Sequence, residues 1–124
     1  MAEIADYQIV KPGEFTVSGD NPVAFNVSLP PSTSVAAGGV LAFVVREVNS
    51  TVGPSVNFTI SMNDKPVNFF QLKIGTFCGL TEAFPAEGGK LKIGPNKLTF
   101  SAGAGAIFDS VHISDVVLWF QRNI

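Results

Sequence analysis

Between Gly94 and Gln121 the sequence fixes its own local geometry more tightly than anywhere else. Gly94-Pro95-Asn96 is a turn, and Lys97-Leu98-Thr99-Phe100 starts a strand. Gly103-Ala104-Gly105-Ala106 forms a loop, and His112 to Gln121 reads as a long closing strand. Gly, Pro and Asn supply turn conformations that a strand interior does not use. Two extended runs separated by a glycine-rich loop need strand partners, which makes this a sheet protein.

The upstream sequence repeats the pattern. In Val23-Ala24-Phe25-Asn26-Val27-Ser28-Leu29 the odd positions are apolar, while Asn26 and Ser28 point the other way. Val56 to Asn63 alternates in the same manner, the signature of strands with one buried and one solvated face. Tyr7 to Val10 and Glu14 to Ser18 are read as two short strands around a Pro12-Gly13 turn. Gly19-Asp20-Asn21-Pro22 and Pro30 to Ser34 break the chain again. Val40 to Val48 is apolar on both faces until Arg46, which predicts a central strand covered on both sides. Asn63-Asp64 makes a hairpin turn, with Pro66 opening the next strand. Thr76 to Gly89 reads as irregular. No segment has the caps and 3.6-residue period of a stable helix. Short strands roughly 8–12 residues apart predict an all-β, single-domain antiparallel β-sandwich over residues 1–124.

Three motifs resemble the galactose-binding-domain-like jelly rolls, mainly over residues 56–120. Ile60-Ser61-Met62-Asn63-Asp64-Lys65-Pro66-Val67 resembles their strand, Asn-Gly-Lys turn, strand hairpin. Leu91 to Phe100 resembles their Leu-x-x-Gly-x-Asn-x-Leu-x-Phe strand, and Ile113 to Phe120 their closing strand. The resemblance implies a jelly-roll sandwich and brings in sugar-binding modules of glycosidases and discoidin-like lectins. Members that bind sugars expose Trp or Tyr to stack on sugar rings, and many hold a structural calcium.

Composition narrows the functional classes. A chain of 124 residues buries roughly two-thirds of its unfolded surface. Hydrophobic residues make up 46% and charged ones 15%, leaving little charge to cover the outside, so association with copies of itself is expected. Net charge is −2, with lysines interleaved with Asp64, Glu82 and Glu87, which argues against a nucleic-acid or anionic-lipid partner. No run is long and apolar enough for a membrane span. An acidic N-terminus without an apolar core and a single Cys78 point to the cytoplasm. Three glycosylation triplets, at Asn26, Asn49 and Asn57, read as outward-facing polar positions of strands.

Reactive groups are sparse. His112 is the only histidine, which excludes two-His metal motifs. Cys78 is flanked by apolar residues and reads as a small hydrophobe. Gly103 to Ala106 lacks the Gly-Lys-Ser/Thr ending of a phosphate loop. Glu3, Asp6 and Asp115 are too dispersed to specify calcium, and Asp115 suits a strand end or bulge, so no metal and no cofactor are expected.

Two non-catalytic readings stand. In the first, a lectin-like module grips sugar hydroxyls through Arg46, Asn63, Asp64, Asn68 and Asp109 and stacks the ring on Tyr7 or Trp119. Trp119 lies in an apolar strand, which predicts burial and counts against it. In the second, the domain assembles with itself through apolar segments such as Ala36-Ala37, Ala83 to Ala86 and Ala102 to Phe108.

Overall fold

Alternation becomes two four-stranded antiparallel sheets. The structure, a computed structural model, describes residues 3–85, 90–103 and 109–123. The strands are β1 (Glu3–Ser18), β2 (Val23–Leu29), β3 (Gly39–Asn49), β4 (Ser55–Met62), β5 (Lys65–Lys73), β6 (Cys78–Phe84), β7 (Gly94–Ala102) and β8 (Ser110–Asn123). One sheet runs β1-β8-β3-β6 and the other β2-β7-β4-β5, the interleaved order of a jelly roll. Hereafter these are the first and second sheets. Among the described residues the one helical element is a single 3₁₀ turn at Val35–Ala37.

The sheets bury their facing sides against each other. Phe100 and Phe58 are fully buried, as are Leu41, Ile60, Met62, Leu98, Ile113 and Leu118. Phe100 sits at the centre, its ring within 5.5–6.3 Å of those of Phe15, Phe25, Phe43 and Phe58. In β4 the residues Val56, Phe58, Ile60 and Met62 point inward, as the alternation requires. Asn63 and Asp64 both adopt positive φ (52° and 64°), the two-residue turn whose twist suits a hairpin.

Four expectations are corrected. Pro12-Gly13 does not divide two strands: β1 runs on to Ser18, absorbing the irregularity as register shifts around Lys11. Part of the Thr76–Gly89 stretch, Cys78–Phe84, is an edge strand paired with β3. Gly94-Pro95-Asn96 opens β7 itself, and Asn96 is buried rather than solvated at a turn. On β3, Leu41, Phe43 and Val45 are buried, but Val40, Ala42 and Val44 on the other face are only half-buried. That face has no second layer among the described residues. Residues 86–89 and 104–108, including Glu87, Ala86 of one apolar segment, and most of the Ala102 to Phe108 segment with its glycine loop, lie outside the described residues.

Candidate functional site

A belt of irregular backbone crosses the first sheet and decides what its outer face displays. On β8 the buried apolar positions are Val111 and Ile113, then Val116, Leu118 and Phe120, with Ser114 buried between the two runs. The step of three between Ile113 and Val116 is a bulge at Ser114-Asp115, where Asp115 has φ 56°. An inserted residue reverses which face every later side chain occupies. Trp119 is thereby turned outward and is 42% exposed, correcting its expected burial. β1 and β3 shift register in the same belt.

Side chains lock the belt. Asp115 Oδ1 accepts the Gly13 amide at 3.3 Å, where Gly13 has φ 78°. Asp115 Oδ2 accepts the Ser114 hydroxyl at 2.9 Å and Arg46 Nη2 at 3.3 Å. Arg46 also donates Nε to Ser114 Oγ at 2.8 Å. The Ser114 hydroxyl, the Gly13 amide and then Arg46 hold the Asp115 carboxyl below its ordinary value. The Arg46 guanidinium lies over the exposed Phe77 ring, 5.6 Å from its centre.

Beyond the belt, Tyr7 lies opposite Trp119 on the neighbouring strand. Their ring centres are 4.9 Å apart with planes tilted by 43°, and Tyr7 is 52% exposed. Val40 and Ala83 continue this row, and Ile9, Val117, Ala42 and Thr81 form the next. Beside Trp119 a shallow depression of about 170 Å³ is bounded by Ala5, Gly38, Val40, Ala83 and Gln121. The face is therefore an aromatic pair on an apolar sheet surface, with Gln121 and Thr81 at its margins. Asp115 lies four residues from Trp119, about 13 Å along an extended strand.

Tyr7, Trp119 and Arg46 thus share one face. Asn63, Asp64 and Asn68 sit on the second sheet and do not join them. Asn63 is fully engaged: its Nδ2 donates to Lys90 O and Asn96 Oδ1, and its Oδ1 accepts the Lys97 amide, all at 2.9 Å. Asp64 pairs with Lys97 Nζ at 2.7 Å. Asn68 accepts the Phe69 amide at 2.7 Å. Asp109 is 6% exposed and packs its side chain against Gly103.

The reactive groups also fall apart. Asp6 pairs with Arg122 Nη1 at 2.9 Å, away from Asp115. Among the described residues, no three His, Cys, Asp or Glu side chains converge as metal ligands. His112 Nδ1 lies 3.3 Å from Glu14 and its Nε2 3.9 Å from Glu47, while β3 lies between His112 and Cys78. Sequence reasoning missed Phe77 and Phe69, both well exposed. The signal for Phe69 was available: it precedes Phe70 in an alternating strand, so one of the two had to face outward.

No protein-family model matches the sequence, and neither does any curated protein. Solved structures do match it. Dimeric latent PorU from Porphyromonas gingivalis aligns with TM-score 0.67 and 12% identity over 98% of this chain and 13% of that one. A xylan-binding module, CBM15, aligns with TM-score 0.55 and 14% identity over 96% of this chain and 97% of the module. The CBM36-1 domain of a multidomain xylanase from the hindgut metagenome of Trinervitermes trinervoides aligns at 0.54 and 10%, covering 95% and 96%. This chain therefore spans a small part of the PorU chain and nearly all of the two modules. At these identities the shared property is the jelly-roll fold. Among the described residues no helix is long and apolar enough to cross a membrane.

Proposed function

We propose that this chain is a non-catalytic carbohydrate-binding module that stacks sugar rings on the Tyr7–Trp119 pair. The observation that carries the reading is the pair itself: two adjacent aromatic rings turned to solvent, beside a shallow depression. The C–H faces of a pyranose are apolar and pack on aromatic faces, while its hydroxyls need polar partners at the rim. Gln121 and Thr81 occupy that rim. A flat sheet face with Arg46 and Phe77 at its far end suits an extended glycan rather than a single buried sugar. Structural likeness to two carbohydrate-binding modules of nearly the same length supports the reading.

The test is a glycan array followed by fluorescence titration, for which Trp119 is the sole tryptophan reporter. Trp119→Ala and Tyr7→Ala are expected to weaken binding about tenfold each while leaving the fold intact. Unchanged affinity in both variants would place the site elsewhere.

A second reading rests on the same face. Ile9, Val117, Val40, Ala42 and Val44 surround the aromatic pair with apolar surface, which a second copy of the chain would cover. Native mass separates the two: a dimer dissociated by Ala42→Glu, with no glycan bound, supports self-association.

A further inference from the structure

The second sheet carries its own candidate site on its outer face, far from Tyr7 and Trp119 in the strand order. Phe69 is 57% exposed and, among the described residues, has no aromatic neighbour. Its register partner on β4 is Thr59, which in turn lies opposite Ser101 on β7. A depression of about 200 Å³ opens here, bounded by Phe69, Thr59, Ser101, Asn57 and the backbone at Ala102-Gly103. Among the described residues, no side-chain hydrogen bond engages Asn57, Thr59 or Ser101, so their polar groups are free to meet a ligand.

We infer that this depression is a second binding subsite, selective for a neutral sugar residue. Three features choose the occupant. None of the lining side chains is charged, so an acidic ligand would surrender hydration with no cation to meet it. An aromatic ring faces one amide and two hydroxyls on adjacent strands, about 4.8 Å apart, which presents stacking and hydrogen bonding together. Asn57 and Thr59 stand on β4, an interior strand flanked by β7 and β5, so an added peptide strand could join only at the outer edge of β5, beyond Phe69, and not over these polar groups. Side chains alone must do the recognition. With sites on opposite faces, one copy of the module would bridge two glycan chains, which raises avidity for a dense polysaccharide.

The experiment maps amide chemical shifts of the isotope-labelled chain as xylohexaose, cellohexaose and neoagarooctaose are added in turn, with hexagalacturonate as an acidic probe. The expected result is shifts at Asn57, Thr59 and Phe69 with at least one neutral probe and none there with the acidic one. Those shifts should need about tenfold more ligand in Phe69→Ala, survive in Phe69→Tyr and persist in Trp119→Ala. Shifts confined to the Tyr7–Trp119 face would overturn the second subsite and leave the first reading standing. Shifts confined to the Phe69 face would do the reverse. Stronger binding of hexagalacturonate here, or silence with every neutral probe, would overturn the inference outright.

Discussion

The left-handed backbone at Asp115 sets which face Trp119 occupies four residues later. Without the extra residue, the alternation of Val111 and Ile113 would carry on to place Trp119 in the core. The bulge holds because Asp115 spends its carboxylate on Gly13, Ser114 and Arg46, uniting β1, β8 and β3 at one belt. A detail of the backbone thus decides whether Trp119 meets solvent or the core.

Substitution at Asp115 tests this directly. Asp115→Val puts a β-branched residue at φ 56° and removes three contacts, so its urea midpoint should fall clearly below the parent's. Asp115→Asn tolerates the left-handed conformation and still accepts hydrogen bonds, so it should cost much less. Urea denaturation ranks the variants, and equal losses in Val and Asn would show that the backbone conformation is not what matters. Acrylamide quenching of the sole tryptophan reports whether Trp119 stays outward.

How much of this was legible beforehand depends on what each residue's surroundings could reveal. Alternation in β2 and β4 located strands, inward faces and the hairpin at Asn63-Asp64, because period 2 and turn chemistry are local. Trp119 was misjudged because a bulge changes phase: Asp115 suits a strand end or bulge in the sequence, but only the register shows that it reverses the face of every residue after it. The candidate site split for a similar reason. Tyr7, Arg46 and Trp119 converge only once β8 is seen between β1 and β3, a long-range pairing that no local pattern specifies. Asn63 and Asn68 were equally attractive polar residues, and only geometry shows their side chains already in use.

Asn96 carries a second prediction. It is 1% exposed, and its amide makes four hydrogen bonds: Oδ1 accepts from Asn63 Nδ2 and the Lys92 amide, and Nδ2 donates to Lys92 O and Gly94 O. Asn96→Ala strands several of these partners in a dry site and should cost about 2–4 kcal/mol. Asn63→Ala also removes a residue suited to positive φ. A double-mutant cycle should find the two losses less than additive, since they share one bond. Additive losses in denaturation would mean the network does not act as a unit.

Acid should loosen the first sheet through two carboxyls. Asp6 is held below the ordinary aspartate value of 3.8 by the Tyr7 amide and then by Arg122. Asp115 is lowered in the same direction by Ser114, Gly13 and Arg46. A carboxyl whose folded value is depressed contributes stability above its unfolded value and loses it as pH falls through the folded one. Stability contributed by these two groups is therefore complete above about pH 5 and is withdrawn on descending below about pH 4. Asp6→Asn and Asp115→Asn should each flatten the acid limb of stability against pH, measured by urea midpoints. An unchanged slope in the double variant would assign the acid sensitivity to other groups.

Phe100 is the last and most sensitive position. Eleven of the thirteen aromatic residues are Phe, and the core shows why: Phe100 contacts four other rings, stacked on Phe58 at 5.8 Å and edge-on to Phe25 and Phe43. Tyr in this place would bury a hydroxyl with no partner among the surrounding rings. Phe100→Ala should cost about 3–5 kcal/mol, because strands on both sheets fix the surrounding rings and limit collapse into the cavity. Phe100→Leu fills more of the volume and should cost less, the difference measuring the shape match between rings. Because Phe100 faces inward from the strand that carries Ser101 on its outer side, both variants should weaken the second sheet's outer face only as far as they unfold it. Calorimetric unfolding gives the ranking, and a Phe100→Ala protein as stable as the parent would show that the core repacks freely around the missing ring.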